Sequence, residues 1–293
     1  MARKTVITGG SGRLGTKTVE AMLAAGYEVL NLDAVRPREK LCESWAADLT
    51  RSGDLFEALD GADSVIHLAA YQSDSEAADS VVFGNNVTSS YNVLRAAAQT
   101  GVRRVVMASS IAAYGFIYAP EIWDPDVLPL DEDYPCRPLD CYALSKAFGE
   151  RLADSFVATS GMTVASLRIS GVNFDSTYLS FRERWRDPAR LLGGFWAYVD
   201  ARDAAEACRL AAEADIDGHR VFNIAAATSH NPTPTEELVR RYFPGTRIRD
   251  GMTGCWGGLD VARARDELGF ETTHRWQDYL RPDGTPVDTG TEP

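Results

Sequence analysis

Short apolar runs alternate with longer helical patterns along the first part of the chain. The runs predict strands at residues 5–8, 28–32, 64–68, 105–108 and 163–169. Between them, apolar residues recur at helical spacing and predict helices over residues 16–25, 87–100 and 142–159. Because strands and helices alternate in this way, we predict an α/β fold: a Rossmann-type doubly wound parallel sheet with helices on both faces.

The pattern changes after residue 170. Residues 171–195 have no clear periodicity, and the remainder predicts a helix over 198–213, a last strand over 221–224 and short helices over 235–242 and 260–268. We therefore predict a main sheet domain that combines residues 1–170 with about 196–225. Residues 171–195 and 226–280 are predicted to form a small C-terminal lobe. The segment 281–293 carries Pro, Gly, Asp and Thr and is predicted to be a flexible tail.

Composition and charge restrict the class of protein. The chain has 293 residues, with 45% hydrophobic and 25% charged residues, which is ordinary for a globular protein. Its formal net charge of −12 argues against nucleic acid or an anionic membrane as the main partner, since both favour a basic surface. The sequence shows neither a signal peptide nor a long apolar run, and its five cysteines form no Cys-x-x-Cys pair. We expect a cytoplasmic protein with reduced thiols and no metal site.

A glycine-rich loop follows the first predicted strand and opens the first predicted helix. It reads Gly-Gly-Ser-Gly-Arg-Leu-Gly over residues 9–15. Glycines in this context allow a tight turn and a close approach of the backbone to a pyrophosphate, and the helix N-terminus offers free N–H groups. The alternative, a plain glycine turn, is weakened by the strand before and the helix after. The sequence thus predicts a dinucleotide site whose loop contacts are Gly9, Gly12, Arg13, Leu14 and Gly15.

Acidic residues indicate which dinucleotide binds. Asp33 ends the second predicted strand, where a carboxylate can accept hydrogen bonds from both adenosine ribose hydroxyls and repels a 2′-phosphate. This favours NAD over NADP, although nearby Arg36 is able to reach such a phosphate. Asp48 and Leu49 are predicted adenine contacts, with a helix N-cap as the alternative for Asp48.

A tyrosine and a lysine lie four residues apart on a predicted helix. Tyr142 and Lys146 therefore project from one helix face, and the chain contains only four lysines. A nearby ammonium, together with the positive ring of oxidised nicotinamide, should lower the tyrosine pKa from about 10. Such a tyrosine can take the proton of an alcohol while hydride leaves its carbon. Ser110, at the end of a predicted strand, can bind the same hydroxyl. The alternative is a surface tyrosine and lysine on an amphipathic helix.

Together these residues resemble the extended short-chain dehydrogenase/reductase family, which includes NAD-dependent sugar epimerases and dehydratases. The resemblance rests on the glycine loop, Asp33 and Tyr142-x-x-x-Lys146, and on the further segments 67–70, 86–87, 108–110, 114–115, 222–224 and 258–270. It covers nearly the whole chain. It implies Ser110, Tyr142 and Lys146 as catalytic residues. It also implies cofactor contacts from Leu68, Ala69, Ala70, Asn86, Ser109, Tyr142, Lys146 and Ile169.

The resemblance also indicates a branch of the family. The 4,6-dehydratases carry an Asp-Glu pair after the catalytic residue, where this chain has Ile111-Ala112-Ala113, so a dehydratase is rejected. Only residues 170–196 separate the strand ending at Ile169 from the next helix, which leaves little room for a nucleotide diphosphate. This layout is nearest to uronate dehydrogenase. That enzyme has Asn-His after its serine, whereas Ile111 and Ala112 follow Ser110 here, so the substrate lacks a carboxylate or is bound differently.

Substrate contacts are predicted at Gln72, Ser73, Ser110 and Arg190. Gln72 and Ser73 follow the third predicted strand and can meet hydroxyl groups, or they form an ordinary loop. Arg190 is chosen from the arginines of the 171–195 segment as a clamp for an anionic group. The alternative is that these arginines are solvated charges paired with Glu183 and Asp187.

We predict an NAD-dependent dehydrogenase of a sugar or sugar acid. One alternative is a nucleotide-sugar 4-epimerase of the UDP-glucose type, which returns the hydride to the same substrate. A second alternative is a non-catalytic NAD-binding protein. Members of the family often pair through the helices predicted here at residues 87–100 and 142–159, which indicates a homodimer.

Overall fold

The computed structural model describes residues 3–72 and 77–287. The strands are β1 Lys4–Thr8, β2 Glu28–Asp33, β3 Glu43–Ala46, β4 Ser64–His67, β5 Arg104–Ser110, β6 Val127–Leu128, β7 Thr163–Ile169, β8 Val172–Asn173, β9 Val199–Asp200, β10 His219–Ile224 and β11 Arg247–Ile248. The α-helices are α1 Arg13–Ala24, α2 Gly53–Leu59, α3 Asp79–Thr100, α4 Cys141–Ser160, α5 Phe181–Arg186, α6 Ala201–Glu213, α7 Thr235–Tyr242 and α8 Ala262–Leu268. Short 3₁₀ helices cover Ile111–Tyr114, Pro188–Gly194 and Trp276–Asp278.

Seven strands form one parallel sheet in the order β3-β2-β1-β4-β5-β7-β10. The strand order reverses between β1 and β4, because the chain moves outward from β1 first to one side and then to the other. Ligands bind in open α/β sheets at such a reversal, beyond the carboxyl ends of the strands. The predicted doubly wound α/β fold is confirmed.

Two apolar layers hold the helices on the sheet. One layer packs α1 and α6 on one face, with Ile7 and Phe222 at its centre, and the other packs α2, α3 and α4 on the opposite face around Val6 and Leu94. These side chains are fully buried, and each contributes about 1.5–3 kcal/mol of transfer free energy. Alternate residues of β1 serve opposite layers, which explains why this strand is apolar on both faces.

The remaining segments pack at the carboxyl edge of the sheet. An apolar cluster around Phe195 and Trp196 joins the 3₁₀ helix at Ile111–Tyr114 to α7, and a second cluster joins Tyr178 to Trp276. Residues 281–287 form a turn in which Arg281 N–H donates to Thr285 O at 2.8 Å. The rest of the predicted tail, 288–293, lies outside the described residues. In the part of the chain that the structure describes, every helix is too short or too polar to cross a bilayer.

Some elements differ from the sequence prediction. Helix α3 begins at Asp79 rather than at residue 87, because it continues through Gly84 and buries Val82 completely. The predicted helix over 198–213 begins only at Ala201, where the Asp200 carboxylate caps it by accepting from Arg202 N–H. The sequence pattern did not predict strand β3 or helix α2, since both are short and β3 is a half-exposed edge strand.

Candidate active site

A cavity of about 690 Å³ lies at the carboxyl ends of β1, β2, β4, β5 and β7. This volume is in the usual range for small-molecule sites. The cavity brings together most of the predicted site residues, although they are spread over the first 170 positions: Gly9, Gly12, Arg13, Leu14, Gly15, Asp33, Asp48, Leu49, Leu68, Ala69, Ala70, Gln72, Ser109, Ser110, Tyr142, Lys146 and Ile169.

The glycine loop lines one end of the cavity. Gly9 has φ +77°, and a Cβ atom there would lie 2.6 Å from the backbone nitrogen of Ala69. A Cβ atom on Gly15 would overlap the carbonyl oxygen of Gly9. Helix α1 then starts with Gly12 as N-cap, no side-chain cap and no acidic residue in its first turn. Its free N–H groups and positive dipole end therefore favour an anionic group such as a pyrophosphate.

Asp33 ends β2 beside this loop. Its carboxylate accepts from Ser11 N–H at 3.0 Å and from Val35 N–H at 3.1 Å, so it fixes the loop and still has lone pairs directed to other donors. Arg36 is exposed and lies outside the cavity lining. Of these two charged side chains, the carboxylate lines the cavity and the guanidinium does not.

We expect Asp33→Asn to weaken NAD binding about tenfold and to reduce the preference for NAD over NADP. The amide keeps the shape of the side chain but loses its negative charge and one acceptor oxygen. Isothermal titration with both dinucleotides measures the effect. Asp217→Asn, a neutralisation at an exposed site, is the matched control. Unchanged affinities for both dinucleotides in Asp33→Asn would contradict this role.

Ser110, Tyr142 and Lys146 meet at the other end of the cavity. Ser110 ends β5 beside Ile169 of β7, and its Oγ accepts from Ala112 N–H at 3.1 Å. Tyr142 and Lys146 lie in the first two turns of α4, with Lys146 Nζ 5.5 Å from the centroid of the Tyr142 ring. The predicted pair is thus brought to the strand-end serine on one wall of the cavity.

Lys146 Nζ donates to Ala108 O at 2.7 Å. Desolvation by burial lowers the pKa of Lys146 from its ordinary value of 10.5 to about 8. The folded protein therefore binds this proton less tightly than the unfolded chain does. Between pH 8 and 10.5 the unfolded chain binds more protons, so the stability contributed by this group rises with pH and its cost is largest below pH 8.

Replacement of the ammonium by an apolar group should therefore stabilise the fold. We expect Lys146→Met to raise the free energy of unfolding at pH 7 by about 1–2 kcal/mol, allowing for partial exposure to the cavity. The gain should shrink as the pH rises from 8 to 10.5. Denaturant unfolding at several pH values measures it, with Lys17→Met on the exposed face of α1 as control. A lower stability of Lys146→Met at pH 7 would contradict the assigned burial cost.

Two of the predicted residues that the structure describes, Asn86 and Arg190, lie outside the cavity lining. Asn86 instead braces the chain after β4, since its side chain exchanges hydrogen bonds with Tyr71 N–H and O at 2.9 Å and donates to Ser145 Oγ at 3.1 Å. The Arg190 side chain is 80% exposed and pairs with Asp187 at 3.2 Å, so nothing in the structure supports it as a clamp for substrate. Ser73 lies outside the described residues.

The structure adds lining residues that the sequence did not indicate. Phe174, from the segment after β8, stacks under the Arg13 guanidinium at 3.8 Å. Ile111, Ala112 and Ile117 form an apolar wall near Ser110. The periodicity of residues 171–195 is too irregular to place Phe174. For Ile111 and Ala112, the sequence indicates only that polar groups are missing after Ser110.

The chain is similar to known proteins in sequence and in fold. Residues 5–173 match the model of the NAD dependent epimerase/dehydratase family. An L-arabinose 1-dehydrogenase (NAD(P)(+)) of Haloferax volcanii is 31% identical over 256 residues, which cover 85% of this chain and 97% of that protein. A UDP-glucose 4-epimerase of Corynebacterium glutamicum is 25% identical, with 92% and 91% covered. A short-chain dehydrogenase/reductase superfamily protein from Agrobacterium tumefaciens, solved with bound NAD, has a TM-score of 0.72 and 23% identity over 94% of each chain.

Proposed function

Because this chain belongs to the NAD dependent epimerase/dehydratase family, we propose that it is an NAD-dependent dehydrogenase that oxidises a hydroxyl-bearing carbon of a free, uncharged sugar. One observation carries the proposal. A single cavity holds the glycine loop and Asp33 at one end and Ser110, Tyr142 and Lys146 at the other. This arrangement matches a dinucleotide whose nicotinamide lies beside a proton acceptor.

The residues present fit NAD. The glycine cradle of residues 9–15 has no space for Cβ atoms at Gly9 and Gly15, and the unfilled N-terminus of α1 suits the pyrophosphate. Asp33 would hold the adenosine ribose, and Ile169 and Lys146 would lie near the nicotinamide nucleoside. When bound, NAD supplies the hydride acceptor for the oxidation.

The chain itself handles the proton of the substrate hydroxyl. We assign Tyr142 as the general base that takes this proton and Ser110 Oγ as the group that orients the hydroxyl. The Lys146 ammonium, 5.5 Å from the Tyr142 ring centroid, stabilises negative charge on the phenolate oxygen. Substrate C–H and O–H bonds break together, with the electron pair leaving as hydride and the proton moving to Tyr142.

The charge of the cavity wall supports an uncharged substrate. Among the described lining residues, the basic side chains are Arg13, which belongs to the glycine loop, and Lys146. The wall beside Ser110 is formed by Ile111, Ala112 and Ile117. A carboxylate or a second diphosphate would meet few opposite charges here, and its desolvation would be poorly compensated. The related L-arabinose 1-dehydrogenase supports an aldose oxidised at C1.

The rival function is a nucleotide-sugar 4-epimerase, which the related UDP-glucose 4-epimerase supports. Steady-state NADH absorbance separates the two functions. We expect net NADH with NAD and neutral aldoses such as L-arabinose or D-galactose, and at least about tenfold lower kcat/KM with galacturonate. UDP-glucose should give neither NADH nor UDP-galactose. Formation of UDP-galactose without net NADH would establish the rival.

We also propose that two copies pair through α3 and α4. The outer face of these helices carries exposed aromatic side chains, since Tyr91 is 40% and Phe148 is 46% exposed. Phe148 packs edge-on against Phe83 of α3 at 5.5 Å, and Tyr91 packs in the same way against Phe156 of α4. A contiguous apolar face of this kind is typical of a protein interface.

Phe148→Arg should convert the dimer to a monomer, because it places two charges in the apolar centre of a symmetric interface. Light scattering coupled to size exclusion measures the mass. Leu179→Arg, a similar change at an exposed position outside this face, should stay dimeric. A wild-type protein that is monomeric at micromolar concentration would contradict the pairing.

A further inference from the structure

A polar stripe runs along α4 from the cavity towards solvent. Tyr142, Lys146, Glu150 and Asp154 recur at every fourth position, so they follow one face of the helix. Lys146 lines the main cavity, whereas Asp154 lies two turns further along and its side chain is 48% exposed. The stripe therefore joins the catalytic end of the helix to the surface.

The sheet opposite this stripe is also polar. Ser109 Oγ donates to Glu150 Oε1 at 2.6 Å, and Arg168 of β7 makes a two-pronged ion pair with the Glu150 carboxylate at 2.8 and 3.0 Å. Ser166, two residues before Arg168, is fully buried and points to the same side of the sheet. These polar groups lie where an apolar helix–sheet interface is ordinarily expected.

The polar stripe of α4 and the polar side chains of the facing sheet together form a polar seam. A second, small cavity of about 10 Å³ lies within this seam. Lys146, Glu150, Ser109 and Ser166 line it. A cavity of this size has room for about one water molecule, and such a molecule needs two to four polar partners. Lys146 Nζ donates one of its three N–H groups to Ala108 O, so the other N–H groups can donate to a water molecule in this cavity.

A hydrogen-bonded chain continues from this small cavity to solvent. Ser166 Oγ is 2.8 Å from His219 Nε2, and His219 Nδ1 is 2.7 Å from Asp154 Oδ1. The His219 side chain is only 6% exposed. The other oxygen of Asp154 is 3.2 Å from the Arg151 guanidinium, which is exposed. His219 thus separates a buried hydroxyl from a carboxylate at the surface.

We propose that this seam releases the proton of the reaction, from Lys146 through one water, Ser166 and His219 to Asp154 and solvent. The proposal rests on the proposed dehydrogenase function.

Each oxidation leaves one proton on the catalytic groups, and substrate and cofactor cover the main cavity at that moment. Lys146 gives a proton to the water and is reprotonated from the Tyr142 side. Ser166 accepts a proton and passes its own to His219 Nε2. His219 then releases its Nδ1 proton to Asp154, and one proton leaves to solvent for each NADH formed. A flip of the imidazole ring restores the Nδ1–H form before the next turnover.

The imidazole is the group that lets a proton cross from Ser166 to Asp154. A histidine ring can bind a proton at one nitrogen and release another from the opposite nitrogen, which an amide side chain cannot do readily. His219 and Ser166 are positioning and relay residues rather than catalytic residues, since neither lines the main cavity. Their loss should slow proton release without changing hydride transfer itself.

Stopped-flow mixing with a pH indicator in weak buffer tests the path, with NADH absorbance recorded in parallel. In the wild type, proton release and NADH formation should coincide during the first turnover. In His219→Gln and Ser166→Ala, NADH should form at the wild-type rate while proton release lags about tenfold or more. His274→Gln is the matched control, because His274 is likewise hydrogen-bonded to a carboxylate, Asp203, at 2.7 Å.

A structural role for His219 would slow both signals or lower stability. Coincident signals in His219→Gln would overturn the path, since protons would then leave by the main cavity.

Two readouts do not depend on sugar oxidation. A high-resolution crystal structure should show a water within hydrogen-bond distance of both Lys146 Nζ and Ser166 Oγ, and its absence would overturn the path. Proton release on mixing with NAD alone should slow in His219→Gln. A wild type with this water and without NADH formation would instead count against the proposed function.

Discussion

Tyr142→Phe is expected to lower kcat for sugar oxidation about a thousandfold, equivalent to about 4 kcal/mol of transition-state stabilisation. In the proposed mechanism the phenolate of Tyr142 accepts the hydroxyl proton, and the variant removes only its oxygen. The ring keeps its edge-on contact with Tyr118, whose ring centroid is 6.3 Å away. The dissociation constant for NAD should change by less than about threefold, since the proposal assigns most of the binding to the glycine loop and Asp33.

Steady-state kinetics and isothermal titration together measure this prediction. Tyr242→Phe, the same change on a helix remote from the cavity, serves as control and should keep wild-type kinetics. A Tyr142→Phe enzyme that retains more than about a tenth of the wild-type kcat would exclude Tyr142 as the base. Loss of NAD binding in the variant would show that the ring, rather than the hydroxyl, has the essential role.

Arg168→Ala is expected to lower the free energy of unfolding by about 3–5 kcal/mol. The guanidinium is 5% exposed, pairs with the buried Glu150 carboxylate and donates to Glu132 O at 3.0 Å. Its face also lies 4.7 Å from the centroid of the Tyr114 ring. Truncation leaves a buried carboxylate without its counter-charge, which costs more than the loss of the attraction alone.

Denaturant unfolding compares Arg168→Ala with Arg190→Ala, which removes an exposed pair with Asp187 and should cost less than about 0.5 kcal/mol. The double variant Glu150→Leu with Arg168→Met should recover most of the lost stability, because it removes both charges. A cost below about 1 kcal/mol for Arg168→Ala would contradict the buried ion pair.

The parts of the site that are local in sequence could be predicted without the structure. The glycine loop is one continuous segment between a strand and a helix, and Tyr142 and Lys146 are one helical turn apart. Their relation depends only on backbone periodicity. Asp33 and Ser110 could be predicted because a residue that ends a parallel strand faces the ligand edge of the sheet.

The parts that depend on tertiary register could not be predicted. Ser166 reaches His219 because β7 and β10 are neighbours, and His219 reaches Asp154 because α4 covers both strands. No short-range spacing relates these residues. The prediction for Arg190 depends on its charge alone, and charge does not indicate whether the side chain turns towards the cavity or towards Asp187. Phe174 lies within the irregular segment 171–195, so no periodic signal indicates its stacking on Arg13.

The fate of the hydride tests the central claim most directly. The enzyme is incubated with NAD and L-arabinose deuterated at C1, and the reduced cofactor and the sugar are analysed by mass spectrometry. We predict one deuterium in each NADH formed, an oxidised sugar in equal amount, and a primary isotope effect on the single-turnover rate. Deuterium that remains entirely in the sugar pool, with this aldose and with other neutral aldoses, and no labelled NADH would contradict a dehydrogenase.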